Sequence, residues 1–175
     1  MSDAPLPPAP SRAPSSSGTP IVVVVMIVAF VLVFIVGILA AIAIPAFIKY
    51  MRRAKAAEAQ TNIELIVRGI EARHADRHTL PPSIAATPGA TAPGCAARPW
   101  PADAPPAWAE LGFAPFGPLH YAYSIDAAPD GQTVYVRAVG DLDCDGISGR
   151  FERIVATTPD GRTVAGPLIR TDELE

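Results

Sequence analysis

The sequence predicts an α+β protein: one long N-terminal helix, transmembrane in its first half and amphipathic in its second, packed on a small C-terminal antiparallel sheet. Three observations predict it. No charged residue lies between Arg12 and Lys49. Apolar residues then recur at three- and four-residue spacing from Ala59 to Ile70, one stripe along a helix. Two Pro-Asp-Gly turns, at 129–131 and 159–161, separate short alternating runs near the C-terminal end.

Residues 1–20 are rich in Pro, Ser and Ala and too polar to bury a core, so a disordered tail is expected there. Residues 21–44 contain only Ile, Val, Met, Ala, Phe and Leu apart from Gly37. As a helix this run spans roughly 36 Å, more than a hydrocarbon core of roughly 30 Å. A lipid-facing helix satisfies its own backbone groups, so the β-branched run Val22–Val25 does not argue against it. A secretory signal would have a shorter apolar stretch with basic residues before it. A single-pass anchor in the lipid bilayer is expected.

Residues 45–79 continue the helix. Pro45 removes one backbone hydrogen bond and is the expected kink. Lys49, Arg52, Arg53 and Lys55 form a basic cluster suited to anchoring at the membrane interface. Ala59, Ile63, Ile66, Val67 and Ile70 make the apolar stripe, and Glu64 with Arg68 a supporting i,i+4 pair. The helix should end near His78, before Leu80-Pro81-Pro82.

Of the 20 prolines, 16 fall in residues 1–20 and 81–118. Residues 80–118 therefore read as a Pro-rich loop region, with one helical turn at 107–113 closed by Gly112. Trp100, Trp108, Phe113 and Phe116 are expected to pin this loop to the domain. Residues 119–175 read as an antiparallel sheet carrying an acidic loop. Its strands are expected at 120–125, 133–139 and 151–157, with a short edge strand at 163–165 or 167–169.

The sharpest local motif is Asp141-x-Asp143-x-Asp145-Gly146, closed by Glu152. Its spacing matches a twelve-residue calcium loop, in which alternate carboxylates converge on a hard cation and Ile147 offers a carbonyl. Strands rather than helices flank it, and Ser148 stands where an aliphatic residue is usual. Two readings are open: a calcium-binding β-loop, or a solvated acidic turn. Cys95 and Cys144 either form one disulfide in an oxidising compartment or stay unpaired. A bridge would close about 50 residues and contribute on the order of 4 kcal/mol. His74 and His78 share a helix face but have no evident third metal ligand, and solvated helix-end residues are expected.

The formal net charge of −3 leaves no basic face for nucleic acid. Two cysteines exclude a disulfide-dense scaffold. No nucleophile motif, phosphate loop or catalytic carboxylate pair occurs, so neither an enzyme nor a small-molecule substrate is expected.

The run from Gly37 to Pro45 (GILAAIAIP) resembles the N-terminal helix of type IV pilins and type II secretion pseudopilins. The C-terminal half is similar to a subset of bacterial pilin-like proteins in Trp108, Leu111-Gly112-Phe113, Tyr121-Ala122-Tyr123, Gly140-Asp141-Leu142-Asp143, Asp145-Gly146, Phe151 and Asp172-Glu173-Leu174-Glu175. The resemblance implies a long helix with a sheet on its second half, in a structural or accessory subunit of a type IV pilus or type II secretion apparatus. It implies other pilin-like helices as partners. It also implies the bacterial inner membrane, with the C-terminal domain outside the cytoplasm.

Aligned on Pro45, the family's cleavage glycine, methylated aromatic and buried glutamate fall on Val23, Val24 and Val28. Prepilin processing is therefore not expected. The missing glutamate and the distant N-terminal amine are consistent losses, since each charge would otherwise need the other inside a helix bundle. The basic flank alone would place the C-terminal domain in the cytoplasm, as in a cytoplasm-facing membrane regulator. A further alternative is a membrane-tethered calcium-dependent binding module independent of any filament.

Overall fold

The computed structural model describes residues 19–89 and 96–172. The expected tail at 1–20 falls almost wholly outside them, as does Cys95. Helix α1 runs Thr19–Arg77 with Pro45 inside it, and the chain divides into two compact units, Met1–Pro45 and Ala46–Glu175.

In the first unit every residue from 21 to 45 is exposed except the half-exposed Ala40. Val24, Phe30, Phe34 and Ile42 are 58%, 72%, 63% and 69% accessible among the described residues. An apolar surface of this size marks a membrane or protein contact. The segment is long and apolar enough to cross a membrane.

In the second unit the periodicity governs packing. Ala56, Ala59, Ile63, Ile66, Val67 and Ile70 are all buried, on one side of α1. They share a core with Tyr121, Tyr123, Ile125, Val134, Val136, Ala138, Phe151 and Val155 of the sheet region. The strands are β1 (Ile84–Thr87), β2 (Arg98–Pro99), β3 (Pro118–Leu119), β4 (Ala122–Ala127), β5 (Thr133–Gly140), β6 (Gly149–Thr157), β7 (Thr163–Ala165) and β8 (Ile169–Thr171). The main sheet has the order β1-β4-β5-β6-β7, with β8 also pairing β6, and every pairing is antiparallel. Burial alternates strictly along β5, the pattern of a sheet covered on one face.

Several details differ from the sequence reading. Residues 84–87 form an edge strand beside β4; the prolines flank this strand, so they do not interrupt its ladder. The first candidate edge strand forms at 163–165, whereas the second strand lies at 169–171 and not at 167–169; the two pair with different stretches of β6. Helix α2 (Pro106–Glu110) supplies the expected turn. Trp108 and Phe113 are buried and Trp100 packs against both, with ring centroids 5.9 and 5.3 Å away. Phe116 is no anchor, because it is fully exposed. His74 is buried and only His78 is exposed, since the turns around Gly131 and Gly161 reach the last turn of α1. Glu64 pairs with Arg153 of β6 instead of Arg68: the sheet brings a cation closer than the helix does.

Candidate functional site

The acidic loop joins β5 to β6. Leu142 is buried and pins it to the core, while the residues from Cys144 to Ser148 are exposed. The aspartates shape the turn. Asp141 Oδ1 accepts from the Cys144 amide at 2.7 Å and its Oδ2 from the Gly146 amide at 3.1 Å. Asp145 Oδ1 accepts from the Ile147 amide at 2.7 Å. Gly146 sits at φ 91°, where a side chain would be strained.

The loop gathers three of the expected ligands. One carboxylate oxygen from each of Asp141, Asp143 and Asp145 lies within 4.8 Å of the others. Asp143 Oδ1 is buried without a hydrogen-bond partner among the described residues. Its Oδ2 lies 2.9 Å from Arg52 Nη2, so the loop grips the helix that precedes it by some 90 residues in the chain.

Glu152 does not close the loop. It lies on β6 opposite Arg137 of β5 and accepts from Arg137 Nε at 2.5 Å. Asp126 of β4 pairs with the same guanidinium. The sheet register therefore takes the carboxylate that the spacing assigned to a cation. The Glu152 hydrogen bond is the main reason the Arg137 pKa is raised, against a smaller cost of burial. Ile147 is exposed beside the trio. No described cysteine is a free thiol; the expected partner of Cys144, Cys95, lies outside the described residues.

The basic cluster is divided by this geometry. Arg52 is held by Asp143, whereas Lys49 and Arg53 are exposed and Lys55 is half-buried. Sequence reasoning missed a second helix-to-sheet contact. Glu58 accepts from the His120 amide at 3.0 Å, from His120 Nδ1 at 3.1 Å when that nitrogen is protonated, and from Tyr123 Oη at 2.9 Å. Asn62 Nδ2 donates to Tyr123 Oη at 2.8 Å. The Tyr123 pKa is raised far above its usual range, first by burial and then by the neighbouring Glu58 charge. The available signal was two polar residues four apart, beside an otherwise apolar stripe.

The network fastens α1 to β4, the Asp143–Arg52 pair fastens α1 to the β5–β6 loop, and Arg153 with Glu64 fastens it to β6. Each contact joins residues far apart in sequence. Comparison with known protein families, curated proteins and solved structures finds no match.

Proposed function

We propose that this chain is a single-pass membrane-anchored, pilin-like structural or accessory subunit of a type IV pilus or type II secretion apparatus. Its setting is the bacterial inner membrane, with the sheet domain outside the cytoplasm. One observation carries the reading: the contrast along α1. From Ala56 to Ile70 the apolar face is buried in a core shared with the sheet, whereas among the described residues positions 21–48 are exposed apart from the half-exposed Ala40. Bare apolar helix is stable only in lipid or against other apolar helices. A non-catalytic role in assembly uses both halves. The resemblance of Gly37–Pro45 to pilin helices supplies the class of partner. A Cys95–Cys144 disulfide fits this location and would tie the Pro-rich region to the acidic loop.

The test is a photo-crosslinker at Phe34 in native membranes that retain the apparatus. Adducts with pilin-family helices are expected. Recovery of the monomer crosslinked only to lipid would refute subunit assembly.

A second reading is favoured by two observations: one carboxylate oxygen from each of Asp141, Asp143 and Asp145 lies within 4.8 Å of the others, and Asp143 Oδ1 has no hydrogen-bond partner among the described residues. The three aspartates suit a hard cation such as calcium, whereas Glu152 does not belong to the set. In this reading the loop is a calcium-dependent binding surface and the helix only an anchor. Asp143→Asn with Asp145→Asn would then abolish calcium-dependent partner binding while leaving helix crosslinks intact.

A further inference from the structure

We propose that Lys49, Arg53 and Lys55 form a binding surface for the headgroups of anionic phospholipids, from which the acidic loop withholds Arg52. This deepens the membrane reading and rests on residues 21–48 being a span.

The charge pattern comes first. The chain is net negative, yet four of its 14 basic residues lie within positions 49–55. No acidic residue occurs between Asp3 and Glu58, and Glu58, three residues beyond Lys55, is taken by the His120 amide and Tyr123 Oη. The fold answers one of the four from elsewhere: Asp143 takes Arg52. Among the described residues Lys49, Arg53 and Lys55 have no ion-pair partner.

Position comes second. Lys49 follows exposed Ile48 directly, and the exposed Tyr50 adds an aromatic of the kind enriched at membrane interfaces. Lys49 to Arg53 rises about 6 Å along the helix. The polar layer of one leaflet is about 5–8 Å thick, so both cations fall within it, and Lys55, about 3 Å further along, has a side chain long enough to reach back into it. Their alkyl stems can lie along apolar surface while the charges reach phosphate.

Direction distinguishes a layer from a single anion. At about 100° per residue, Lys49 and Arg53 lie about 40° apart around the helix, while Lys55 lies about 160° from Arg53. These donors cannot converge on one small ion. They suit several phosphates in a plane surrounding the helix.

The test uses the full chain reconstituted in phosphatidylcholine vesicles containing spin-labelled phosphatidylglycerol or, separately, spin-labelled phosphatidylcholine. Wild type should favour the anionic label, and the preference should weaken with salt. Arg53→Gln should reduce it by up to about fivefold. Arg52→Gln should reduce it much less, and the Lys49→Gln, Arg53→Gln, Lys55→Gln triple variant should abolish it, all with unchanged circular dichroism. Equal binding of both labels by wild type would overturn the proposal. An Arg52→Gln loss as large as that of Arg53→Gln would overturn the withholding of Arg52. Displacement of the anionic label by inorganic phosphate more than by chloride, at equal ionic strength, would make this a free-anion site and overturn the lipid assignment. A carbonate wash of pure phosphatidylcholine vesicles separates the two readings: release of the protein refutes the span, whereas retention without anionic preference refutes only the headgroup surface.

Discussion

Gly69→Ala opposes two effects whose sizes decide the outcome. In a helix interior alanine is favoured over glycine by about 1 kcal/mol. At Gly69, however, an added Cβ would lie 2.1 Å from the Leu111 carbonyl oxygen and 3.0 Å from its carbonyl carbon. The obstacle is backbone, not the end of a flexible side chain. Moving it by more than about 1 Å would disturb the close of α2, where the Leu111 and Phe113 amides both donate to the Trp108 carbonyl at 3.1 and 3.0 Å. Overpacking of this severity costs roughly 3 kcal/mol. The net expectation is destabilisation of about 2 kcal/mol. Urea denaturation of the full chain in mild detergent, followed by the fluorescence of Trp100 and Trp108, measures it. With a slope of about 2 kcal/mol/M the midpoint should fall by about 1 M. Ala57→Gly, exposed on the same helix, calibrates the propensity contribution alone. A Gly69→Ala protein as stable as wild type, or more so, would refute the close approach of α1 to Leu111.

Further outcomes test the remaining contacts. Glu58→Ala leaves the His120 amide and Tyr123 Oη without their acceptor and should cost about 1–3 kcal/mol in the same assay. Tyr123 has a raised folded pKa, so above about pH 10 the unfolded chain releases a proton that the folded chain keeps. Stability should therefore fall as pH rises past that point, and Tyr123→Phe should remove this part of the loss. If calcium binds the aspartate trio, calorimetry should give a dissociation constant of about 10⁻⁴–10⁻³ M. Asp143→Asn with Asp145→Asn should abolish that binding, and a flat wild-type titration to millimolar would remove the calcium reading. Thiol counting on denatured, non-reduced protein should find no free thiol; two would refute the Cys95–Cys144 disulfide.

The long helix was legible because each half carries a simple sequence pattern. Residues 21–44 are uniformly apolar, and residues 59–70 carry a helical stripe whose five named positions are all buried. The hairpins were legible from turn chemistry: at Asp130 the carboxylate accepts the Gln132 and Thr133 amides, which also lowers its pKa. Strand β1 was not legible, because a four-residue edge between prolines has no periodicity long enough to read. In the acidic loop, local spacing placed the three aspartates together, but Glu152 was assigned by counting residues along the chain. Its partner Arg137 is fixed by strand register, which counting does not contain. Likewise Arg52–Asp143 and Glu58–Tyr123 depend on how the sheet lies on α1, and no local motif encodes that placement.

The most direct test is a nitroxide scan along α1 in reconstituted bilayers, reading collision with oxygen against collision with a water-soluble nickel complex. Positions 21–48 should favour oxygen throughout, and positions 56–70 should alternate, with 59, 63, 66, 67 and 70 immobile and shielded from both reagents. Nickel access across 21–48, or loss of the helical alternation at 56–70, would contradict a helix bare in lipid at one end and covered by its own sheet at the other.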